Sequence, residues 1–354
     1  MDWTPKVVAK LDPTNMYQRV YEFPQQLQAG FNLPVNGDLS GFNPGQFRNI
    51  IVAGMGGSAI GGDFARSYLA NELTIPMFIN RNYGLPRFVG ADSLVIASSY
   101  SGNTEESLAA FEEAMSRGCK IVVATTGGKL LTMAQANNCP YLVLPGGFEP
   151  RAALGYSFGP ILKLMQVIGF VGSQEQIVAD TVAALTASGK KLAMNVPTSR
   201  NEAKRLAQKL KDKIGIVYAG ADYYDVAAVR FKGQICENGK HLAYANIAPE
   251  FNHNELVGFD YPKALVRKLH VIWLTGPADS KGVTNRVKVV DKILKGKRIA
   301  TMTLKAKGPN RLAEIFSLVQ FGDLMSYYLA LVNKTDPSPV HVINKLKTAL
   351  EKMK

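Results

Sequence analysis

Short apolar runs alternate with stretches of helical periodicity along almost the whole chain. In the first half, NIIVAGM (49–55), IPMFIN (75–80), SLVIASS (93–99), KIVVAT (120–125) and YLVLP (141–145) have the length and β-branched content of strands buried on both faces. Helical patterns sit between them near 59–71, 104–117 and 129–137. This rhythm predicts βαβ units around a parallel sheet.

The second half restarts the programme. An Ala- and Lys-rich helix near 200–211 precedes GIVYAG (215–220), a helix from about 223, and LHVIWLTG (269–276). IIVAGMGGSAIGGDFAR and GIVYAGADYYDVAAVRFK share a strand, a Gly turn and a helix containing an arginine. Two related α/β domains, each a parallel sheet flanked by helices, are therefore expected. Their boundary should fall between 170 and 200, where GSQEQ, ASGKK and NVPTSRN supply turn chemistry. The expected organisation is a helical arm over 1–40, a first domain over 41–172, a second over 195–335 and a C-terminal helix over 336–354.

Composition narrows the class. A chain of 354 residues with 47% hydrophobic and 19% charged residues is an ordinary globular protein, long enough for two domains. No apolar run suggests a membrane span, and MDWTPKVVAKLDPTN lacks the apolar core of a signal peptide, so a cytoplasmic protein is expected. Cys119, Cys139 and Cys236 have no metal-ligand spacing and read as free thiols; Cys236, beside Glu237, reads as a core thiol rather than a nucleophile. The net charge of +13 is C-terminal: residues 1–177 carry 12 Lys and Arg against 13 Asp and Glu, the remainder 29 against 15. Without a nucleic-acid motif, that field fits steering of a small anionic metabolite.

GMGGSAIGG (54–62) follows a strand and opens a helix, so its backbone N–H groups can receive an anion. Gly56 and Gly57 permit close approach and Ser58 adds a hydroxyl. GMGGSA also satisfies a loose dinucleotide fingerprint, but the acid expected at the end of the next strand is absent. Asn80 and Arg81 stand there instead, and Arg81 keeps open a 2′-phosphate. The third strand ends in ASSYSGNTEES, which puts Ser99, Ser101 and Thr104 around Gly102 at a second helix start. One N-cap needs one hydroxyl. Two such loops on neighbouring strands predict a phosphate site.

GMGGSAIGGD, SSYSGNTEE and EPRAALGYSFG together resemble the sugar-isomerase (SIS) superfamily and, within it, the bifunctional phosphoglucose/phosphomannose isomerases, from about residue 40 to the C-terminus. The resemblance implies two SIS-type αβα sandwiches, no metal or other cofactor, and aldose–ketose isomerisation of sugar 6-phosphates through a cis-enediol. Such chemistry needs a carboxylate base, a group that helps open the ring, and a cation near the developing oxyanion. Glu237 in QICENGK resembles the family's base. His253 in EFNHNE, sixteen residues on, resembles its ring-opening residue, and Arg151 in EPRAALGYS the arginine over C1 and C2. Phosphate contacts carry over onto Gly57, Ser58, Ser99, Tyr100, Ser101 and Thr104, with Gly56 in the same turn. TDPSPVHVINKLKTALEKMK resembles the family's C-terminal ending and its active-site lysine, with Lys347 and Lys345 as candidates about 200° apart on one helix. Ser338 stands where many relatives have threonine, which bears on acceptance of both C2 epimers. The resemblance further implies a homodimer whose site includes His253 from the partner subunit.

Without the resemblance, Glu237 reads as a helix-end carboxylate, His253 as a loop residue and Arg151 as a salt-bridge partner. Lys240 and His241 lie between the pair, and Asn254 and Glu255 are candidates to orient His253. Three functional classes follow: a metal-independent isomerase, a non-catalytic SIS sensor of sugar phosphates, and an isomerase joined to amide transfer. No helix-turn-helix supports the second and no glutaminase segment supports the third.

Overall fold

The computed structural model describes residues 3–221 and 223–353. Its centre is two parallel sheets. The first contains β1 (Asn49–Ala53), β2 (Met77–Asn80), β3 (Ser93–Ser99), β4 (Lys120–Thr125) and β5 (Tyr141–Val143) in the order β2-β1-β3-β4-β5. The second contains β6 (Ile214–Gly220), β7 (Ala243–Ala248), β8 (Leu269–Thr275) and β9 (Ala300–Lys305) in the order β7-β6-β8-β9. Each first strand sends its chain to one neighbour while the third strand of that unit lies on its other side. The repeat suspected from two sequence stretches is thus a repeat of topology. In such an order the loops after the first and third strands diverge and leave a crevice at the carboxyl edge.

β1 and β3 are buried along their whole length, as expected for strands covered on both faces. A core of Ile50, Val52, Val217, Ile272 and Leu274 runs without a break from one sheet to the other. The helix Arg311–Val332 lies inside that core. It is as long and apolar as a membrane span, contrary to the expectation that no segment is, but its most apolar stretch is 89% buried within the protein. A helix apolar on every side belongs in an interior. The N-terminal arm belongs there too, since Val20, Phe23, Leu27 and Phe31 join the same core. Its helix Phe23–Phe31 comes so close to the helix Leu154–Ile168 that a methyl group on Gly30 would stand 2.3 Å from the Gly155 carbonyl oxygen.

Of the turns expected between 170 and 200, GSQEQ opens in one and NVPTSRN lies in another, but ASGKK is corrected. ASGKK closes the helix Glu175–Leu192, whose Val178, Thr181, Leu185 and Gly189 form a buried stripe at helical spacing. Gly189 reads locally as a breaker. Here it faces the side chain of Gln320, where a methyl group would stand 3.0 Å from Nε2. β7 and β9 and the helices Leu154–Ile168 and Glu175–Leu192 complete elements that the periodicity left undrawn.

One buried titratable group predicts a pH response of the fold. His270 in β8 is 5% exposed, and its Nε2 has no hydrogen-bond partner among the described residues. Burial first, then Lys209 and Lys213, pull its pKa down to about 4 from 6.5. The folded state therefore holds the neutral ring, and its stability is complete above pH 6.5 and lost as pH falls toward 4. The loss is about 2–3 kcal/mol. Urea midpoints measured across that window should fall in the native chain and fall less steeply in His270→Val; equal slopes would contradict this.

Candidate active site

The loop after β1 enters the helix Gly56–Tyr68 at Gly56, whose φ is +50°. The N–H groups of Gly56 and Gly57 have no intrahelical acceptor and point out of the helix end, whereas Ser58 N–H donates to the Met55 carbonyl at 3.0 Å. That first turn carries no acid, whereas the helix Glu105–Ser116, after β3, opens with Glu105 and Glu106. The first helix end is therefore the better anion receptor. The two loops are joined: Tyr100 N–H donates to Ser58 Oγ at 2.9 Å. Ser58 is thereby oriented with its own proton available.

The other hydroxyls divide by geometry. Ser99 Oγ donates to Thr104 Oγ1 at 3.0 Å and accepts from Gly102 N–H at 3.2 Å, so it is committed to the loop's own structure. Tyr100 donates its hydroxyl to the Pro145 carbonyl at 2.7 Å. Ser101 is exposed and Thr104 half-buried, and both hydroxyls accept rather than donate within the loop. Gly102, at φ +68°, leaves no room for a side chain: a methyl group would lie 1.8 Å from the Gly127 carbonyl oxygen.

Gly57 connects this crevice to the rest of the site. A methyl group there would stand 2.6 Å from the Pro150 carbonyl, so the glycine lets the turn Pro150–Ala152 lie directly on the helix end. Arg151 in that turn is buried and almost fully used. Its Nε donates to Asn238 Oδ1 at 2.8 Å, and its Nη2 to the carbonyls of Pro337 at 2.8 Å and Ser338 at 2.6 Å. Nη1 makes no such bond to a described residue and faces Glu237 Oε2 at 3.8 Å. Burial lowers the Arg151 pKa, while Glu237, Glu149 and Asp336 oppose that shift.

Glu237 is the last residue of the helix Asp225–Glu237, and its side chain is 40% exposed against 8% for Arg151. Further bonds hold the pair in place. Asn238 donates to Ser326 Oγ at 3.0 Å. Arg230 binds Asp323 through two bonds, of 2.6 and 3.2 Å, and donates to the Arg151 carbonyl at 2.9 Å. Phe231 lies against Gly322, where a methyl group would be 2.4 Å from its ring. Glu237, a carboxylate with room for a substrate, thus comes from the second half to meet an arginine and an anion cradle from the first.

His253 is not part of this constellation within one chain. The helix of Glu237 covers the sheet face that holds Val217 and Ala219, whereas the turn Glu250–His253 covers the opposite face, where Phe251 stacks on Tyr218 with 4.1 Å between centroids. The imidazole of His253 is exposed and makes no hydrogen bond to a described residue. Its expected orienting groups are occupied elsewhere: Asn254 donates to Glu250 at 3.0 Å, and the Glu255 carboxylate accepts from Tyr218 and Asn246. His241 is bound to the Lys213 carbonyl and to Asn333. Lys345 and Lys347 lie on the helix His341–Glu351, exposed and without an ion pair to a described residue.

Arg81 pairs with Asp63, which uses up the cation that kept a 2′-phosphate in view. The three thiols are free, and burial raises the pKa of Cys119 and Cys139. Among the described residues no cluster of His, Cys, Asp and Glu has the make-up of a metal site. A cavity of about 740 Å³ between the helix Glu175–Leu192 and β9 contains none of these candidates.

Paired parallel sheets with a hydroxyl-lined cradle at the crevice of the first define a SIS-type fold. A glucose-6-phosphate isomerase like protein from Thermus thermophilus has the same fold, with a TM-score of 0.63 at 18% identity over 95% of this chain and 97% of that one. Residues 199–350 match the model of the bacterial phospho-glucose isomerase C-terminal SIS domain. The bifunctional phosphoglucose/phosphomannose isomerase of Caldicellulosiruptor bescii is 39% identical over 96% of this chain and its own full length, and that of Aquifex aeolicus 35% over 86% and 91%. The chain belongs to the bifunctional phosphoglucose/phosphomannose isomerase family.

Proposed function

We propose that the chain interconverts fructose 6-phosphate with glucose 6-phosphate and mannose 6-phosphate without a metal. The observation that carries this reading is the meeting of Arg151 and Glu237 beside the Gly56–Ser58 cradle. The cradle N–H groups and the hydroxyls of Ser58, Ser101 and Thr104 hold the phosphate. In the open-chain aldose, Glu237 takes the C2 proton, the electron pair forms the C1–C2 double bond, and the C1 carbonyl oxygen becomes the oxyanion. Arg151 Nη1 faces that charge. The proton returns to C1 as the O2 proton shifts to O1, giving the ketose. In reverse, protonation on either face of C2 gives either aldose.

His253 serves as ring opener from a second copy. Exposed apolar side chains at the edge strand β7 and along the segment that follows it support a homodimer: Leu242, Tyr244, Tyr261 and Leu265, with Val257 at 80% exposure. Fructose 6-phosphate supplied with excess EDTA should yield both aldoses by NMR. Tight binding without conversion would favour a sensor, and loss of activity in EDTA would contradict metal independence.

A further inference from the structure

Lys240 lies three residues beyond Glu237, with its backbone in the left-handed region at φ +49°. Glycine or asparagine is usual in that conformation, which Arg298 and Lys334 also adopt just after other helices, so what sets Lys240 apart is where its ammonium goes. Its ammonium reaches back to donate to the Glu237 carbonyl and across to the Pro337 carbonyl at 2.9 Å. Arg151 Nη2 donates to that same Pro337 oxygen at 2.8 Å. Two cations therefore share one acceptor, and Lys240 joins the main chain of the proposed base to the strap that holds the arginine.

We propose that Lys240 is a positioning residue for the isomerisation, its ammonium clamping the end of the Glu237 helix onto the Asp336–Ser338 strap so that the carboxylate and Arg151 Nη1 keep their spacing. Charge is part of this function, because an ammonium donates more strongly to a carbonyl than a neutral amine does. Although the residue as a whole is exposed, desolvation of its ammonium first, then Arg151, pull the Lys240 pKa down to about 8, against the opposing pull of Asp336 and Glu237. The clamp is charged at pH 7 and weakens as pH rises through that value. The inference rests on the isomerase reading given above.

The experiment compares kcat and KM of the native chain, Lys240→Arg and Lys240→Asn from pH 6 to 10. Asparagine tolerates the left-handed backbone and carries no charge; arginine keeps the charge far beyond pH 10. The native chain should show an alkaline fall in kcat near pH 8. Lys240→Asn should lose at least about tenfold in kcat at pH 7 with KM within about twofold, and should lack that limb. Lys240→Arg should keep most of the activity with the limb moved to higher pH. A native profile flat through pH 8, an Asn variant within about twofold of native kcat, or an Arg variant as impaired as the Asn variant would each overturn the proposal. An active native chain with an indifferent Asn variant ends the role of Lys240 alone, whereas a native chain without isomerase activity ends the reading on which it rests.

Discussion

Glu237→Gln should lower kcat for fructose 6-phosphate by about 10²–10⁴ while leaving its binding within about threefold, because glutamine preserves the shape of the side chain and removes the basic oxygen. The proposed phosphate contacts lie on the other half of the chain, at Gly56, Gly57 and Ser58, and none of them is on the helix Asp225–Glu237. Binding and chemistry should therefore separate. Calorimetric titration measures the first and the rate of solvent deuterium entry at C2 the second. Deuterium entry at the native rate would remove Glu237 as the base.

Asp323→Asn should cost about 3–5 kcal/mol of folding stability, because it leaves the Arg230 guanidinium buried without its counter-charge. Both side chains are almost fully enclosed, at 5% and 3% exposure. Burial raises the Asp323 pKa above the usual carboxylate range, and the Arg230 guanidinium opposes that shift. The pair also fixes the site. Arg230 stands two turns before Glu237 in the same helix and holds the Arg151 carbonyl. Urea unfolding should show the loss, and kcat should fall further than the folded fraction does. Replacing both residues by apolar ones should recover much of the stability without restoring activity. An Asn variant as stable as the native chain would show that the pair contributes little.

Local pattern revealed what strands and glycine turns declare locally. β1, β3, β4, β6 and β8 were legible as unbroken apolar runs, and the two hydroxyl loops lay at the ends of β1 and β3. The helix Glu175–Leu192 was hidden because Gly189 looks like a breaker until Gln320, on a distant helix, is brought against it. The site divided along the same line. Glu237 and Arg151 were found through motif resemblance, but the groups that fix them are long-range partners: Asn238 for Arg151 Nε, the Pro337 and Ser338 carbonyls for Nη2, and Asp323 for Arg230. No spacing encodes a main-chain carbonyl as a ligand. The sixteen residues between Glu237 and His253 suggested an adjacent pair, yet they carry the chain from one face of the second sheet to the other.

That separation makes the proposed sharing of the site between two copies directly measurable. In a symmetric dimer each proposed site takes Glu237 from one copy and His253 from the other. Glu237→Gln and His253→Asn, each expected to be inactive or nearly so alone, can be co-expressed with different tags and the mixed dimer isolated by two affinity steps. One of its two sites then has both native residues, so about half of the native isomerase activity should return. A mixed dimer no more active than its parents would contradict the account.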